Sequence, residues 1–354
     1  MFRPFLRKLE FIAVLGAFIY LAACGSNQKA TTTAFNDTEA VVNELSIVFY
    51  NVENLFDTID NPITLDEEYT PNSEKAWDTK RYQIKLQHLS KVILEANGGN
   101  APDFIGLSEI ENEAVVKDLL AQDGLSKKQY GIVHFESPDL RGIDNAFAYN
   151  KEVFKLTQTD KIRIDFTGVI EDKYTSRDIV YCTGKIGNET IHFYVNHWPS
   201  RRGGLEASSP KREHVAKQLK SHINNLEANA NIIIMGDFND EPDNISVNKV
   251  LGATTIASEP GLYNLMSKLD AQGKGTYNYR GNWNMLDQFI VSTNMLDDDE
   301  LTILTESVSA FQQTWMMYND KKYGPTPSRT YGGPNYYGGY SDHLPIAIKL
   351  LHTK

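Results

Sequence analysis

Cysteine is scarce in this sequence, which has only Cys24 and Cys182 among 354 residues. Two cysteines allow one disulfide at most, so a fold that depends on a disulfide framework is excluded. Hydrophobic residues make up 41% of the chain and aromatic residues 11%, which is enough for a substantial apolar core. We therefore expect the core to supply the stability of the protein.

Long apolar runs are also missing, apart from one at residues 11–23 that follows three basic residues. This run is too short and wrongly flanked for a membrane-spanning helix, so we interpret residues 1–23 as a secretory signal peptide. Its end, Leu-Ala-Ala-Cys, resembles the bacterial lipobox and predicts lipidation of Cys24 after cleavage. An ordinary cleavage site with an incidental cysteine is the alternative. The prediction is an exported protein of the bacterial cell envelope, lipid-anchored on its periplasmic or outer-membrane side.

Basic residues are too few to balance the acidic ones, and the full chain has a net charge of −11. Because residues 1–23 carry three basic residues and one acidic residue, a chain that begins at Cys24 has a net charge of −13. This balance excludes a general electrostatic attraction to nucleic acid or to anionic lipid. A polyanionic substrate would have to be held locally, by metal ions and a few arginines.

The rest of the chain indicates one folded domain. Residues 24–44 are rich in small and polar residues without apolar periodicity, which is typical of a flexible tether. Residues 45–354 show no internal repeat and no break in composition. We predict one domain with a two-layered sheet core over residues 45–354, and a monomer.

Strands alternate with helices along this domain. Residues 79–95 and 210–226 carry apolar residues at helical spacing, and Ser209 and Pro210 suit the N-cap and the first position of the second helix. The alternation predicts a mixed α/β fold. Short apolar runs with the composition of strands are Ser46–Tyr50, Phe104–Leu107, Ala146–Tyr149, Ile179–Cys182, Ile191–Val195, Ile232–Met235, Phe289–Val291 and Leu344–Leu350.

Polar residues recur at one end of these runs. Four sets follow the C-terminal end of a buried run, which is a usual place for active sites in α/β sheets. Two later sets precede their runs, and they would lie at the same edge if those strands run antiparallel to the others. Six segments would then bring their polar residues together. The residues expected there are Asn51, Glu109, His197, Asp237, Asn239, Asp287, Asp342 and His343.

The residue types of this set indicate phosphoryl chemistry. Most members offer oxygen ligands, which suit hard cations such as Mg²⁺, Mn²⁺ or Ca²⁺ rather than structural zinc. The two histidines, His197 and His343, could serve as a base for water and as a donor to the phosphate. Acyl transfer fits less well, because no serine or cysteine stands in an activated nucleophile motif.

Five motifs carry a family resemblance. Residues 50–56 read YNVENLF, residues 107–110 LSEI, residues 196–200 NHWPS, residues 236–240 GDFND and residues 341–345 SDHLP. Together they resemble the endonuclease/exonuclease/phosphatase family, which includes deoxyribonuclease I and exonuclease III. The match extends over residues 45–350.

The resemblance implies a four-layered α/β sandwich, in which two facing mixed β-sheets are flanked by helices. It implies that Glu109 is the principal metal ligand, assisted by Asn51 and Asp342. Asp237 and Asn239 would orient the water, the phosphate or a second ion. The resemblance also implies that His343, paired with Asp287, acts at the scissile phosphate and that His197 donates to a phosphate oxygen. Either Asp237 or His343 could be the general base.

Two arginines are weaker candidates for contacts with the substrate phosphate. Arg177 lies at a strand entry where relatives often carry an arginine, and a surface turn is the alternative. Arg212 falls in the first turn of the predicted helix 210–226, where the helix dipole favours anions.

The substrate remains open among three hypotheses. The leading one is a nuclease that hydrolyses DNA, and RNA is an alternative nucleic-acid substrate. The second is a sphingomyelinase-like phosphodiesterase or phosphatase on lipid headgroups or small phosphate esters, which an exposed apolar hairpin would favour. The third is a catalytically silent binding protein, which the complete acidic and histidine set argues against. A tyrosine-rich segment, residues 317–340, could stack on bases or pack on itself.

Overall fold

We analysed the protein as a computed structural model, which describes residues 42–170, 174–257, 261–296 and 300–353. These residues all lie in one compact unit, Ala40–Lys354. The predicted signal peptide, Cys24 and nearly all of the predicted tether fall outside the described residues, so they stay predictions. Among the described residues, no helix is both long and apolar enough to cross a membrane.

Strands dominate the described chain, and four α-helices and one π-helical stretch, Ser246–Leu251, connect them. The helices are α1 Thr79–Ala96, α2 Glu113–Leu120, α3 Leu205–Ile223 and α4 Ser267–Asp270. The strands are β1 Val42–Leu55, β2 Phe104–Ile110, β3 Tyr130–His134, β4 Asp144–Asn150, β5 Lys155–Ile162, β6 Ile179–Ile186, β7 Glu189–His197, β8 Asn231–Asp237, β9 Ala253–Thr254, β10 Leu262–Asn264, β11 Tyr277–Tyr279, β12 Asn282–Asn284, β13 Asp287–Ser292, β14 Leu301–Ala310, β15 Met317–Asp320, β16 Gly324–Pro327, β17 Tyr331–Gly332, β18 Asn335–Tyr336 and β19 Ile346–Thr353.

Two mixed sheets form the centre of the domain. The first has six strands in the order β14-β19-β1-β2-β4-β3, with β1 and β2 parallel. The second has seven strands in the order β5-β6-β7-β8-β13-β10-β9, with β7 and β8 parallel. The strands β13 and β19 run antiparallel to β8 and β1, as the predicted meeting of polar residues at one edge requires.

The apolar residues divide into three buried clusters that define four layers. Side chains such as Phe49 and Phe104 of the first sheet and Phe193 and Met235 of the second form the cluster between the sheets. A second cluster packs helices α1 and α2 on the outer face of the first sheet, and a third packs α3 on the outer face of the second. Because burial of such faces is the main favourable term in folding, each sheet is stable only when covered on both sides. The predicted four-layered α/β sandwich is confirmed.

The start of helix α3 differs from the prediction. The helix begins at Leu205, so Pro210 lies inside it and Ser209 is not its N-cap. Gly203 and Gly204 have φ of 90° and 112°, values that glycine adopts readily, and they turn the chain into the helix five residues before Pro210. Arg212 is therefore in the third turn of the helix, beyond the reach of the favourable dipole at the N-terminus.

Candidate active site

The strand register brings three of the predicted residues, His197, Asp237 and Asp287, together at one edge of the second sheet. In the parallel pair β7 and β8, His197 lies beside Asp237, and in the antiparallel pair β8 and β13, Asp237 lies opposite Asp287. Gly236 precedes this point, and a Cβ atom there would overlap the Asn196 carbonyl oxygen. The close approach of β7 and β8 therefore requires a glycine just before Asp237.

Asp237 lies at the centre of the site and is buried. Its Oδ2 atom accepts hydrogen bonds from Asn51 Nδ2 at 3.1 Å and from Asn239 Nδ2 at 3.3 Å. The same oxygen is 3.5 Å from His197 Nε2 and 3.8 Å from His343 Nε2. Five of the eight predicted residues thus meet at one carboxylate.

His343 and Asp287 form a buried pair, with 2.6 Å between His343 Nδ1 and Asp287 Oδ2. Burial opposes protonation of the imidazole, but the carboxylates of Asp287 and Asp237 outweigh it and raise the pKa of His343 well above its usual value. The Asp287 backbone N–H donates to Thr276 Oγ1 at 3.0 Å, and the Tyr277 ring lies 5.0 Å from the His343 ring. These contacts fix the imidazole with Nε2 towards Asp237.

The pKa values of Asp237 and His197, the other two titratable groups at the centre of the site, shift in opposite directions. Burial, followed by repulsion from Asp287, raises the pKa of Asp237 to about 7 against the pull of His343. Burial, followed by repulsion from Arg177 and Arg141, lowers the pKa of His197 well below its usual value. These shifts favour the neutral form of His197 and the protonated form of His343.

Strained backbone presents the ligands expected to hold a metal ion. Four of the seven non-glycine residues with positive φ in the described chain lie here, namely Glu53, Asn54, Glu109 and Asn239. Glu109 has φ of 63° and sits where the register between β2 and β4 shifts, so a bulge aims its side chain out of the sheet. Its Oε2 atom accepts from the Asn54 backbone N–H at 3.0 Å. Such strain concentrates at functional sites because the surrounding fold must maintain it.

The donor set fits a hard divalent cation. Asn51, Glu109 and Asp342 offer oxygen ligands, and Glu109 Oε1 faces the site at 3.9 Å from His197 Nε2. The ligand atoms of Asp237, Asp287 and His343 lie within 4.8 Å of one another, so this neighbouring group is also able to hold an ion. A further group outside the site, His134, Glu136 and Asp144, meets the same distance.

The two arginines predicted to contact the phosphate are both buried and paired within the protein, and their contact with a phosphate stays a prediction. Arg177 is buried, pairs with Asp139 at 3.2 Å and donates to the Trp198 carbonyl oxygen at 2.5 Å. Arg212 is fully buried, with Nε 2.7 Å from Asp240 Oδ2. A buried guanidinium needs such partners, and these two already have theirs within the protein.

Sequence reasoning missed residues that flank the site. Arg329 pairs with Asp342 at 2.7 Å, and the buried Lys85 lies 3.9 Å from Glu53, whose backbone N–H donates to Asn51 Oδ1. The available signal was the position of Arg329 shortly before the motif at residues 341–345. Lys85 gave no signal, because a lysine within an amphipathic helix is normally a solvated residue.

The tyrosine-rich segment forms two small hairpins, β15–β16 and β17–β18. Tyr331 packs edge-on against Tyr336 at 5.3 Å, and Tyr340 packs on Trp315 at 5.0 Å. Tyr318 and Tyr337 remain exposed. Much of the segment therefore packs on the protein itself, and these two rings keep faces for stacking.

A profile of the endonuclease/exonuclease/phosphatase family matches residues 46–352, nearly the whole described domain. The chain belongs to the endonuclease/exonuclease/phosphatase family. Its members are typically hydrolases of phosphoester bonds that depend on divalent metal ions, and the acidic groups above are candidates to hold one. The family assignment therefore agrees with the chemistry of the donor set.

Solved structures with the same fold share little sequence with the chain. D. rerio TDP2 complexed with a single-stranded DNA product is 16% identical with a TM-score of 0.53, over 87% of this chain and 98% of that one. The human Nocturnin catalytic domain with bound sulfate is 16% identical with a TM-score of 0.53, over 89% and 98% of the two chains. A Bacteroides thetaiotaomicron member of the family is 15% identical with a TM-score of 0.51, over 88% and 99%. None of the curated proteins compared with the chain matches it.

Proposed function

We propose that the protein is a metal-dependent phosphodiesterase that hydrolyses DNA by in-line attack of an activated water. The observation that carries the proposal is the convergence of two asparagines and two histidines of opposite protonation on the buried Asp237 carboxylate. Independent turn residues would not be expected to place proton donors and acceptors around one carboxylate in this way.

Asn51, Glu109 and Asp342 would hold the metal ion, for which Mg²⁺ or Mn²⁺ fits best. When bound, it would polarise the phosphate and offset the charge that develops in the transition state. Glu109 is oriented for this task by the Asn54 N–H, and Asn51 by the Glu53 N–H.

Asp237 would accept the proton of the attacking water. Its pKa of about 7 suits a general base at neutral pH, because a base works best when its pKa lies near the working pH. Asn239 donates to the Asp237 carboxylate through both its backbone N–H, at 2.9 Å, and its side-chain amide. These bonds reach both oxygens of the Asp237 carboxylate and fix its orientation.

The two histidines would stabilise the phosphate. Protonated His343, held by Asp287, supplies a positive charge and a hydrogen-bond donor. Neutral His197 can donate without adding charge, and its Nδ1 atom has no hydrogen-bond partner among the described residues. Because a protonated His343 cannot accept a proton, Asp237 rather than His343 would be the base.

DNA is the substrate that the proposal favours. The fold is shared with D. rerio TDP2, which has been determined with a single-stranded DNA product. The exposed Tyr318 and Tyr337 offer rings on which unpaired bases could stack. We further propose that the protein acts as a monomer at the cell envelope, anchored through Cys24.

A substrate panel tests the proposal. The purified protein, stripped of metal, is assayed on supercoiled plasmid, RNA, sphingomyelin and inositol phosphates with Mg²⁺, Mn²⁺ or Ca²⁺. We expect plasmid cleavage that requires metal and is lost in His343→Ala. Preference for a lipid would overturn the DNA assignment alone, and no cleavage of any ester would overturn the enzymatic one.

A second candidate, a phosphodiesterase of lipid headgroups, is favoured by a specific surface. Ile59, Ile63 and Leu65 precede helix α1 with exposed side chains, and the exposed Leu140 joins them, since the Leu65 N–H donates to the Leu140 carbonyl oxygen at 2.7 Å. We call these four residues the apolar loop patch. It adjoins Arg141, whose charge acts on His197 of the site. Clustered exposed apolar side chains commonly mark contact surfaces, including those for membranes.

A further inference from the structure

A cavity of about 400 Å³ opens beside the expected metal ligands. Asp342, Arg329 and Lys75 are among its lining residues. The acidic side chains of Glu53, Glu68 and Glu74 also line it, so among the described residues the cavity holds only two cationic groups. Because Asp342 is expected to hold the metal ion, a phosphate bound there would enter this cavity. The cations on its walls are therefore the ones able to meet the substrate.

Three other arginines near the site are committed elsewhere. Arg177 and Arg212 are buried in ion pairs with Asp139 and Asp240. Arg201 donates to the Asn239 carbonyl oxygen at 2.7 Å and to Asn244 Oδ1 at 3.2 Å. Freeing any of these guanidinium groups would leave buried acceptors without a partner, which is costly.

Lys75 is also committed. Its ammonium group is 2.7 Å from Glu68 and lies 4.1 Å from the centre of the Tyr69 ring. The lysine side chain is largely covered, at 15% exposure. Among the cations that line the cavity, this leaves Arg329 as the candidate for the phosphate.

Arg329 is placed differently. Its side chain is 43% exposed, its Nη2 atom lies 2.7 Å from Asp342 Oδ2, and its charge acts on the Tyr277 hydroxyl. Tyr277 in turn packs on His343. The guanidinium thus stands between an expected metal ligand and the histidine at the scissile phosphate, with donors left for a third partner.

The backbone next to Arg329 is fixed by a buried network. The Thr330 N–H donates to Glu53 Oε2 at 2.7 Å, and Lys85 Nζ donates to Thr330 Oγ1 at 2.7 Å. Lys85 also donates to the Tyr340 carbonyl oxygen at 2.7 Å. An arginine on such a support can be directed at one point, as phosphate recognition requires.

We infer that Arg329 binds a non-bridging oxygen of the scissile phosphate, and that it leaves Asp342 for the phosphate once that carboxylate is coordinated to metal. This inference rests on the proposed function. In the metal-free protein the Arg329–Asp342 ion pair occupies one carboxylate oxygen of an expected metal ligand, so the arginine would compete with metal binding. The guanidinium offers the paired donors that match phosphate geometry.

Three titrations on the full chain test the inference, with Arg329→Met and Arg329→Lys beside the wild type. Mn²⁺ alone should bind Arg329→Met about two- to fivefold more tightly, as expected when a half-exposed ion pair no longer competes. Sulfate, a tetrahedral anion that needs no catalysis, should bind the Mn²⁺-loaded variant about 10- to 100-fold more weakly. The KM for bis(p-nitrophenyl) phosphate should rise to a similar extent, and Arg329→Lys should recover part of each loss because it keeps the charge.

Arg163→Met is the matched control, because Arg163 is 51% exposed and pairs with Asp178 at 2.9 Å outside the cavity. It should leave all three measurements unchanged. Unchanged sulfate affinity in Arg329→Met would overturn the inference, as would unchanged or weaker Mn²⁺ binding. A wild type that cleaves no diester would overturn the proposed function, whereas the Mn²⁺ and sulfate titrations would still decide the role of Arg329.

Discussion

At the scale of single residues, environment assigns different roles to chemically similar groups. His197 and His343 both lie near Asp237, but only His343 has a carboxylate partner within hydrogen-bonding distance on its other ring nitrogen. Burial, with repulsion from nearby arginines, lowers the pKa of His197, whereas the carboxylates of Asp287 and Asp237 outweigh burial and raise the pKa of His343. The difference in protonation between His343 and His197 therefore depends on Asp287.

Substitution of Asp287 tests this dependence. In Asp287→Asn the amide no longer stabilises the imidazolium, so kcat should fall by about 10²–10³-fold, the range expected for loss of one electrostatic donor to the transition state. Glu227→Gln is the matched control, since Glu227 pairs with His192 at 3.1 Å outside the site. Steady-state kinetics with a fixed Mn²⁺ concentration should show no change in kcat for the control. Equal losses in the two variants would contradict the account.

Substitution of Arg212 should change the stability of the protein rather than its catalysis. Arg212→Met removes one partner of a buried ion pair and leaves Asp240 uncompensated, so the free energy of unfolding should fall by about 3–5 kcal/mol. The exposed Arg202→Met should change it little. Urea unfolding measures both. A stable Arg212→Met variant with a raised KM would contradict this account and would support the predicted contact between Arg212 and the phosphate.

At the scale of elements, most inner strands of the two sheets were predictable, whereas the outer strands and the small hairpins were not. The eight short apolar runs located eight inner strands, because a strand buried on both faces must be apolar throughout. The start of α3 was misplaced because Pro210 imitates a helix start, whereas two glycines in unusual conformations begin the helix earlier. The short motifs identify the residues at the centre of the site. They do not identify the cations around it, because these depend on pairing between separate segments, such as that of Arg329 with Asp342.

The apolar loop patch is the feature at this scale with its own test. If it docks on lipid, Ile63→Ser and Leu65→Ser together should abolish co-sedimentation with phosphatidylcholine vesicles, since each loses apolar surface that the bilayer would cover. Plasmid cleavage by the same variant should be unchanged, because neither side chain belongs to the site. The matched control is Ile245→Ser, which alters an exposed isoleucine outside the patch. Retained vesicle binding by the double variant would exclude the patch as a lipid surface.

At the scale of the whole molecule, the fold buries several acidic side chains whose charged form a bound cation would stabilise. Burial raises the pKa of Glu53, Glu111 and Asp237 each to about 7, from ordinary values near 4. The overall charge of −11 repels further anions, so metal should govern both substrate binding and stability.

Glu53, Glu111 and Asp237 should together lower the stability of the metal-free protein as the pH rises from about 4 to about 7. In that window the folded state binds more protons than the unfolded state at these three groups, so the free energy of unfolding falls with pH. Thermal unfolding in EDTA should show a lower Tm at pH 7.5 than at pH 5.5. Glu111→Gln should flatten this slope, because the amide does not titrate, and added Mn²⁺ should restore stability at pH 7.5. A slope that is unchanged in Glu111→Gln would contradict the assignment of that group.

The central claim is that the site around Asp237 hydrolyses phosphodiesters with the help of a divalent metal ion. The most direct test is the initial rate of bis(p-nitrophenyl) phosphate hydrolysis by the metal-stripped protein, with and without Mn²⁺, beside Asp237→Asn and Glu109→Gln. We predict hydrolysis that appears only with Mn²⁺, falls by about 10²-fold or more in Asp237→Asn, and in Glu109→Gln needs a higher Mn²⁺ concentration. Hydrolysis that persists in EDTA, or an Asp237→Asn variant as active as the wild type, would contradict the account.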